Sequence, residues 1–186
     1  MRWLKYAGFA LLGLIVVAAV GVLVTQRVSD GPIQFLQGGP FRSGELVDET
    51  VTDWSFGIGK PTAFELVGFG TSRVAGYIIH DGVAYMTCDL GYMWNRLEGG
   101  QRMILHLIYL FKHWHEDAVE DGRALLRIDG KLYKAQFVKV EDPALNAELR
   151  LEMEALAREY FAPAELGPPP AEPPNDIWFF RMDPRT

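Results

Sequence analysis

"RALLRIDGKLYKAQFVKV", Arg123–Val140, sets two runs of branched and aromatic residues on either side of Asp129-Gly130. A two-residue turn follows the twist of paired strands only when both central residues take positive φ, which Asp and Gly tolerate. The stretch therefore predicts a β-hairpin with arms Arg123–Ile128 and Leu132–Val140. Side chains alternate along a strand, so Tyr133, Ala135 and Phe137 share one face of the second arm while Leu132, Val138 and Val140 occupy the other. Apolar groups on both faces predict cover on two sides, as in a closed barrel or at a dimer interface.

Upstream of the hairpin, Thr62–Phe69, Ser72–Ile79 and Gly82–Cys88 are short runs rich in Val, Ile, Phe, Tyr and Thr. Gly70-Thr71 and His80-Asp81-Gly82 separate them as turns, so they read as three more strands. Downstream, Asp142 and Pro143 fit the N-cap and first position of a helix running to about Phe161, with Leu145, Leu149, Met153, Leu156 and Tyr160 recurring at helical spacing. Pro163–Pro174 reads as an extended connector. "DIWFFRMDP" reads as a last strand returning to the sheet, because three consecutive aromatics on a free tail would invite aggregation. Met103–Phe111, "MILHLIYLF", is too short to span a bilayer and is expected to form a buried or interfacial helix; docking of the barrel on lipid through it is a minor alternative.

The 186 residues suit one domain; the apolar content of 49% is high, and much of the excess sits in the first 26 residues. No charge occurs from Tyr6 to Gln26, and about 20 residues at ~1.5 Å each cross a hydrocarbon core of about 30 Å, so a transmembrane helix over residues 4–25 is expected. A cleaved signal peptide is the alternative, with Ala19-Val20-Gly21 as the small-residue site, but Val22, Leu23 and Val24 prolong the apolar run beyond a usual signal core. Arg2 and Lys5 precede the segment, and Arg27 and Asp30 follow it. The positive-inside rule then places the N-terminus in the cytoplasm and the C-terminal domain outside. The expected layout is an anchor over 1–27, a Gly/Pro-rich connecting segment over 28–61 and a barrel domain over 62–186. Ile33, Phe35, Leu36 and Phe41 suggest that the connecting segment lies along the domain.

Setting aside Arg2, Lys5 and Arg27 leaves 15 basic residues against 24 acidic, a net charge near −9. Such a domain lacks the basic surface that nucleic acids or anionic lipids require, leaving a small molecule or a protein as partner. The single Cys88 excludes an internal disulfide framework and reads as a small core residue. "GGP" at 38–40 has no following Lys-Ser/Thr and reads as a structural loop. No Ser-His-Asp order or Gly-x-Ser-x-Gly turn supports a hydrolase. His113 and His115, with Glu116 and Asp117, fall short of a metal site, which needs three or four converging ligands. Lys112, Trp114 and His115 form an alternative constellation: an ammonium to hold a phosphate and an indole to pack on a flat ring. Against that stands a plainer one, in which Trp114 plugs the barrel end and its neighbours are solvated. Arg73 reads either as a phosphate clamp or as an exposed turn residue.

In order and motif, "SRVAGYIIHDGVAYMT" (72–87), "KHW" (112–114) and "EDGRALLRIDGKLYKAQFVKVEDPAL" (120–145) resemble the split β-barrel flavin-binding proteins, the pyridoxamine-phosphate-oxidase-like group and its deazaflavin-dependent nitroreductase relatives. The likeness covers roughly residues 60–161. It implies an antiparallel split β-barrel with peripheral helices, paired as a homodimer, so that with the transmembrane helix the expected fold is α+β. It also implies FMN or a deazaflavin as cofactor, lined by Arg73, Thr87, Lys112 and Trp114 with His115 nearby, and an oxidoreductase activity. The alternative expectation is a cofactor-free, membrane-tethered binding or assembly module.

Overall fold

The computed structural model describes residues 2–33, 36–91, 112–160 and 177–186. The helix expected at Met103–Phe111 and the proline-rich connector lie outside them. Eight strands form one sheet: β1 (Glu45–Leu46), β2 (Thr62–Leu66), β3 (Thr71–Val74), β4 (Tyr77–His80), β5 (Val83–Asp89), β6 (Arg123–Ile128), β7 (Lys131–Lys139) and β8 (Ile177–Pro184). Their order is β3-β2-β6-β7-β8-β5-β4, antiparallel throughout, and the two-residue β1 pairs in parallel with the start of β7. Among the described residues three helices accompany them: α1 (Arg2–Val28), α2 (Trp114–Glu120) and α3 (Pro143–Tyr160).

The hairpin that the sequence makes plain joins β6 to β7, with Ile128 opposite Lys131 and positive φ at both Asp129 (52°) and Gly130 (78°). Asp81-Gly82 repeats the device between β4 and β5, with φ of 49° and 77°. The run expected as one strand from Ser72 to Ile79 is broken at Ala75-Gly76, and this break shapes the fold. β3 and β4 lie at opposite ends of the strand order yet are consecutive in the chain, and the three steps from Val74 to Tyr77 span no more than about 11 Å. The sheet must therefore curl until its edges approach, giving an antiparallel half-barrel. Ala75 donates its N–H to Thr62 O (3.3 Å), and Gly76 O accepts the N–H of Thr87 (3.2 Å), so the junction touches both edges.

Inside the curl, Phe64, Leu66, Met86, Cys88, Leu126, Ile128, Phe137 and Phe180 are buried with Trp54 and Trp114. The two indoles close opposite ends. Trp54 stands edge-on to Tyr133 near the β6–β7 turn, with its carbonyl accepting the Tyr77 hydroxyl at 2.7 Å, and Trp114 sits where β6 begins and β7 ends. On the outer face, Ile78, Tyr85, Ile177 and Phe179 pack against Leu149 of α3. Asp142 starts that helix by accepting the N–H of Ala144 at 2.9 Å. Both faces of β8 are thus covered, and the "IWFF" run finds its aromatics alternately inside and outside.

The segment after α1 is strapped to the outer face. Gly38 pairs with Ser72, Phe41 N–H donates to Glu65 at 2.7 Å, and Ser72 Oγ donates to Gly39 O at 2.6 Å. Asp30, two residues past α1, accepts the N–H of Arg42 (2.8 Å) and the Arg127 guanidinium (3.0 Å), and the Ser43 hydroxyl also donates to it. These donors, Ser43 foremost, hold its carboxyl down to a pKa of about 2. α1 itself is apolar over Leu11–Val28, long enough to cross a membrane, and not buried against the rest of the molecule; its position near the N-terminus also suits a signal sequence.

Candidate functional site

Four of the five residues nominated from the sequence gather at the barrel end closed by α2. Arg73 lies opposite Phe64 in the β2–β3 register and so shares that ring's inward face, while Trp114 meets the Phe64 ring at 4.8 Å and Phe180 at 5.4 Å. His115 is buried edge-on to Trp178 at 4.8 Å, and Lys139 stands 4.1 Å over the same indole. Trp178 pairs with Cys88 in register, which brings the thiol to this end. Lys112 donates its ammonium to Asp89 O. Trp114 itself is 2% exposed, so its ring is a plug with no free face for a ligand.

Burial governs the electrostatics here. It lowers the His115 pKa, with Lys112, His113 and Arg73 adding to the effect against the opposing charge of Glu116. It also lowers that of Arg73, whose charge Asp117 and Cys88 partly support, and raises that of Asp117. The Cys88 thiol is pushed up to about 12 by burial, despite Lys112 and Arg73 nearby, and is no nucleophile. One guanidinium nitrogen of Arg73 bonds Gln37 at 2.5 Å, while its Nε and His115 Nδ1 are buried without a hydrogen-bond partner. Among the described residues, no group of three or more His, Cys, Asp or Glu side chains converges on a metal position.

Thr87 is not part of this cluster. It alternates with Met86 and Cys88 and so faces outward, where its hydroxyl donates to Gly76 O at 3.1 Å. There it lines a groove of about 980 Å³ between β4, the Gly57–Thr62 loop and α3. The walls are mostly apolar: Ile58, Pro61, Tyr77, Ile79, Met153 and Leu156, with Lys60 and Glu152 the charged groups. Ile58 is 51% and Leu156 37% exposed. The large cavity and the cationic cluster are therefore separate places.

His80 fastens α3 beside this groove, its Nδ1–H donating to the Glu152 carboxylate (2.7 Å) and its Nε2 lying 3.2 Å from Glu148. Its pKa is raised, chiefly by Glu152. The sequence placed His80 only in a turn, since its partners lie on a helix some 70 residues away. The groove left no trace in the sequence either, because four separate stretches line it, at 57–62, 76–79, Thr87 and 152–156. No protein-family model matches the chain, and comparison with curated proteins and with solved structures returns no match.

Proposed function

We propose that the protein is a membrane-tethered binding module: α1 remains as an anchor, and the half-barrel takes an apolar ligand in the groove between β4 and α3. The groove itself carries this reading. Ligand sites are concave, mainly apolar and about 300–1,000 Å³, with a few polar groups to fix orientation, and this cavity has that size and lining.

A second reading, a flavin- or deazaflavin-dependent oxidoreductase of the split-barrel kind, draws on the convergence of Arg73, Lys112 and His115. Its fit is partial. The orphaned Arg73 Nε and His115 Nδ1 suit an anionic group, but Trp114 has no open face for a ring and Thr87 lies on the other side of the sheet.

The test is photolabelling and spectroscopy of the full chain in mild detergent. A small apolar diazirine should label residues 57–62 and 152–156, and Ala155→Trp, which fills the groove, should abolish that labelling while the fold is kept. The protein should stay colourless after incubation with FMN or a deazaflavin. A yellow protein that loses its colour on Arg73→Ala and Lys112→Ala replacement would overturn the binding-module reading in favour of the oxidoreductase.

A further inference from the structure

The groove does not end at the Gly57–Thr62 loop. Pro61 and Thr62 also wall a smaller cleft of about 540 Å³ that is lined by Pro32, Ser43, Val74 and Arg127. That cleft lies at the foot of α1, because Arg127 is bonded to both the side chain and the carbonyl of Asp30, two residues beyond the helix end. The two cavities thus share the Pro61–Thr62 wall, and the apolar groups Pro32, Val74 (54% exposed) and Pro61, interspersed with Ser43, Arg127 and Asp129, lead from the foot of α1 toward the space under Met153 and Leu156.

A cavity that opens where a transmembrane segment leaves the bilayer meets acyl chains before it meets anything dissolved in water. We infer that the occupant of the groove is an acyl chain of a phospholipid from the bilayer that α1 crosses, entering along the Pro32–Pro61 cleft. This rests on the binding-module reading and names its ligand. Burial of apolar surface supplies the drive, roughly 25 cal/mol per Å² removed from water, although a chain leaving the bilayer core gains only the difference between two apolar surroundings. The groove therefore exchanges chains with the leaflet and does not lock one in.

The experiment uses the full chain in phosphatidylglycerol–phosphatidylcholine vesicles, with a phosphatidylcholine that carries a diazirine near the end of one acyl chain. After irradiation, adducts are mapped by mass spectrometry. The expected result is labelling of residues 57–62 and 152–156 as well as α1. In Ala155→Trp and, independently, Pro61→Trp, the barrel labelling should fall about tenfold while α1 labelling, the internal control, stays constant. Lipid adducts confined to α1 would overturn the inference, as would barrel adducts insensitive to both variants, or a mature chain lacking α1. If the small apolar diazirine still labels the groove while the lipid does not, the lipid is wrong and the binding module stands; if neither labels it, both fall.

Discussion

Replacing Trp114 by Ala should loosen the barrel from the end that α2 closes. The helix is seven residues long, too short to persist alone, and Trp114, His115 and Ala118 are its buried residues. The indole is 2% exposed and in contact with the rings of Phe64 and Phe180. Truncating a buried Trp costs about 3–5 kcal/mol, against a total stability of about 5–15 kcal/mol for a domain. For a domain of this size each kcal/mol lowers Tm by about 2–4 °C, so a fall on the order of 10 °C is expected. Near-UV circular dichroism during thermal unfolding of the full chain in detergent reports mainly the barrel, because α1 holds only Trp3 and Tyr6 of the chain's five Trp and seven Tyr. Trp114→Phe keeps both ring contacts and should lose less than half as much. A Trp114→Ala protein that melts within about 2 °C of the parent would refute the plug and return the ring to ligand stacking.

Gly130→Ala should cost about 1 kcal/mol, seen as a lower urea midpoint at unchanged slope, because the added methyl meets no neighbour and only the positive φ resists it. His80 has a raised pKa, so its attraction for Glu152 and Glu148 is complete below about pH 6.5 and is lost as pH rises through the raised value. Amide exchange in α3, corrected for its intrinsic pH dependence, should quicken across that interval by an amount corresponding to about 0.5–1 kcal/mol, and His80→Gln should abolish the trend. Cys88, fully buried with its thiol near 12, should resist iodoacetamide at pH 8 in the folded protein and react once urea unfolds it; modification at the rate of a free thiol would show that this end of the barrel is open.

Elements specified by local chemistry were legible in the sequence. Asp129-Gly130 dictates its turn whatever surrounds it, Asp142-Pro143 starts a helix by capping alone, and the aromatic run Trp178–Phe180 had to return to the sheet as a strand. The split at Ala75-Gly76 was not legible, because alternation runs through it unchanged and only the change of pairing partner reveals it. α2 was missed since seven residues give too few turns for a periodic signal. Among the site residues, Arg73, Lys112, Trp114 and His115 do meet, but the sequence could not say that burial would turn Trp114 into packing. Thr87 failed to join them for a reason of parity: with side chains alternating, its neighbours Met86 and Cys88 took the inward face.

The Asp30 anchorage makes the join between helix and barrel stiff. A slack linker would let the barrel swing and spin independently; here a carboxylate gripped by Arg127, Arg42 and Ser43 begins two residues after the last helical turn. Any roll or lean of α1 must then be passed on to the barrel mouth, so that, with α1 in the bilayer as proposed, the thickness of the leaflet would set the angle at which that mouth is presented.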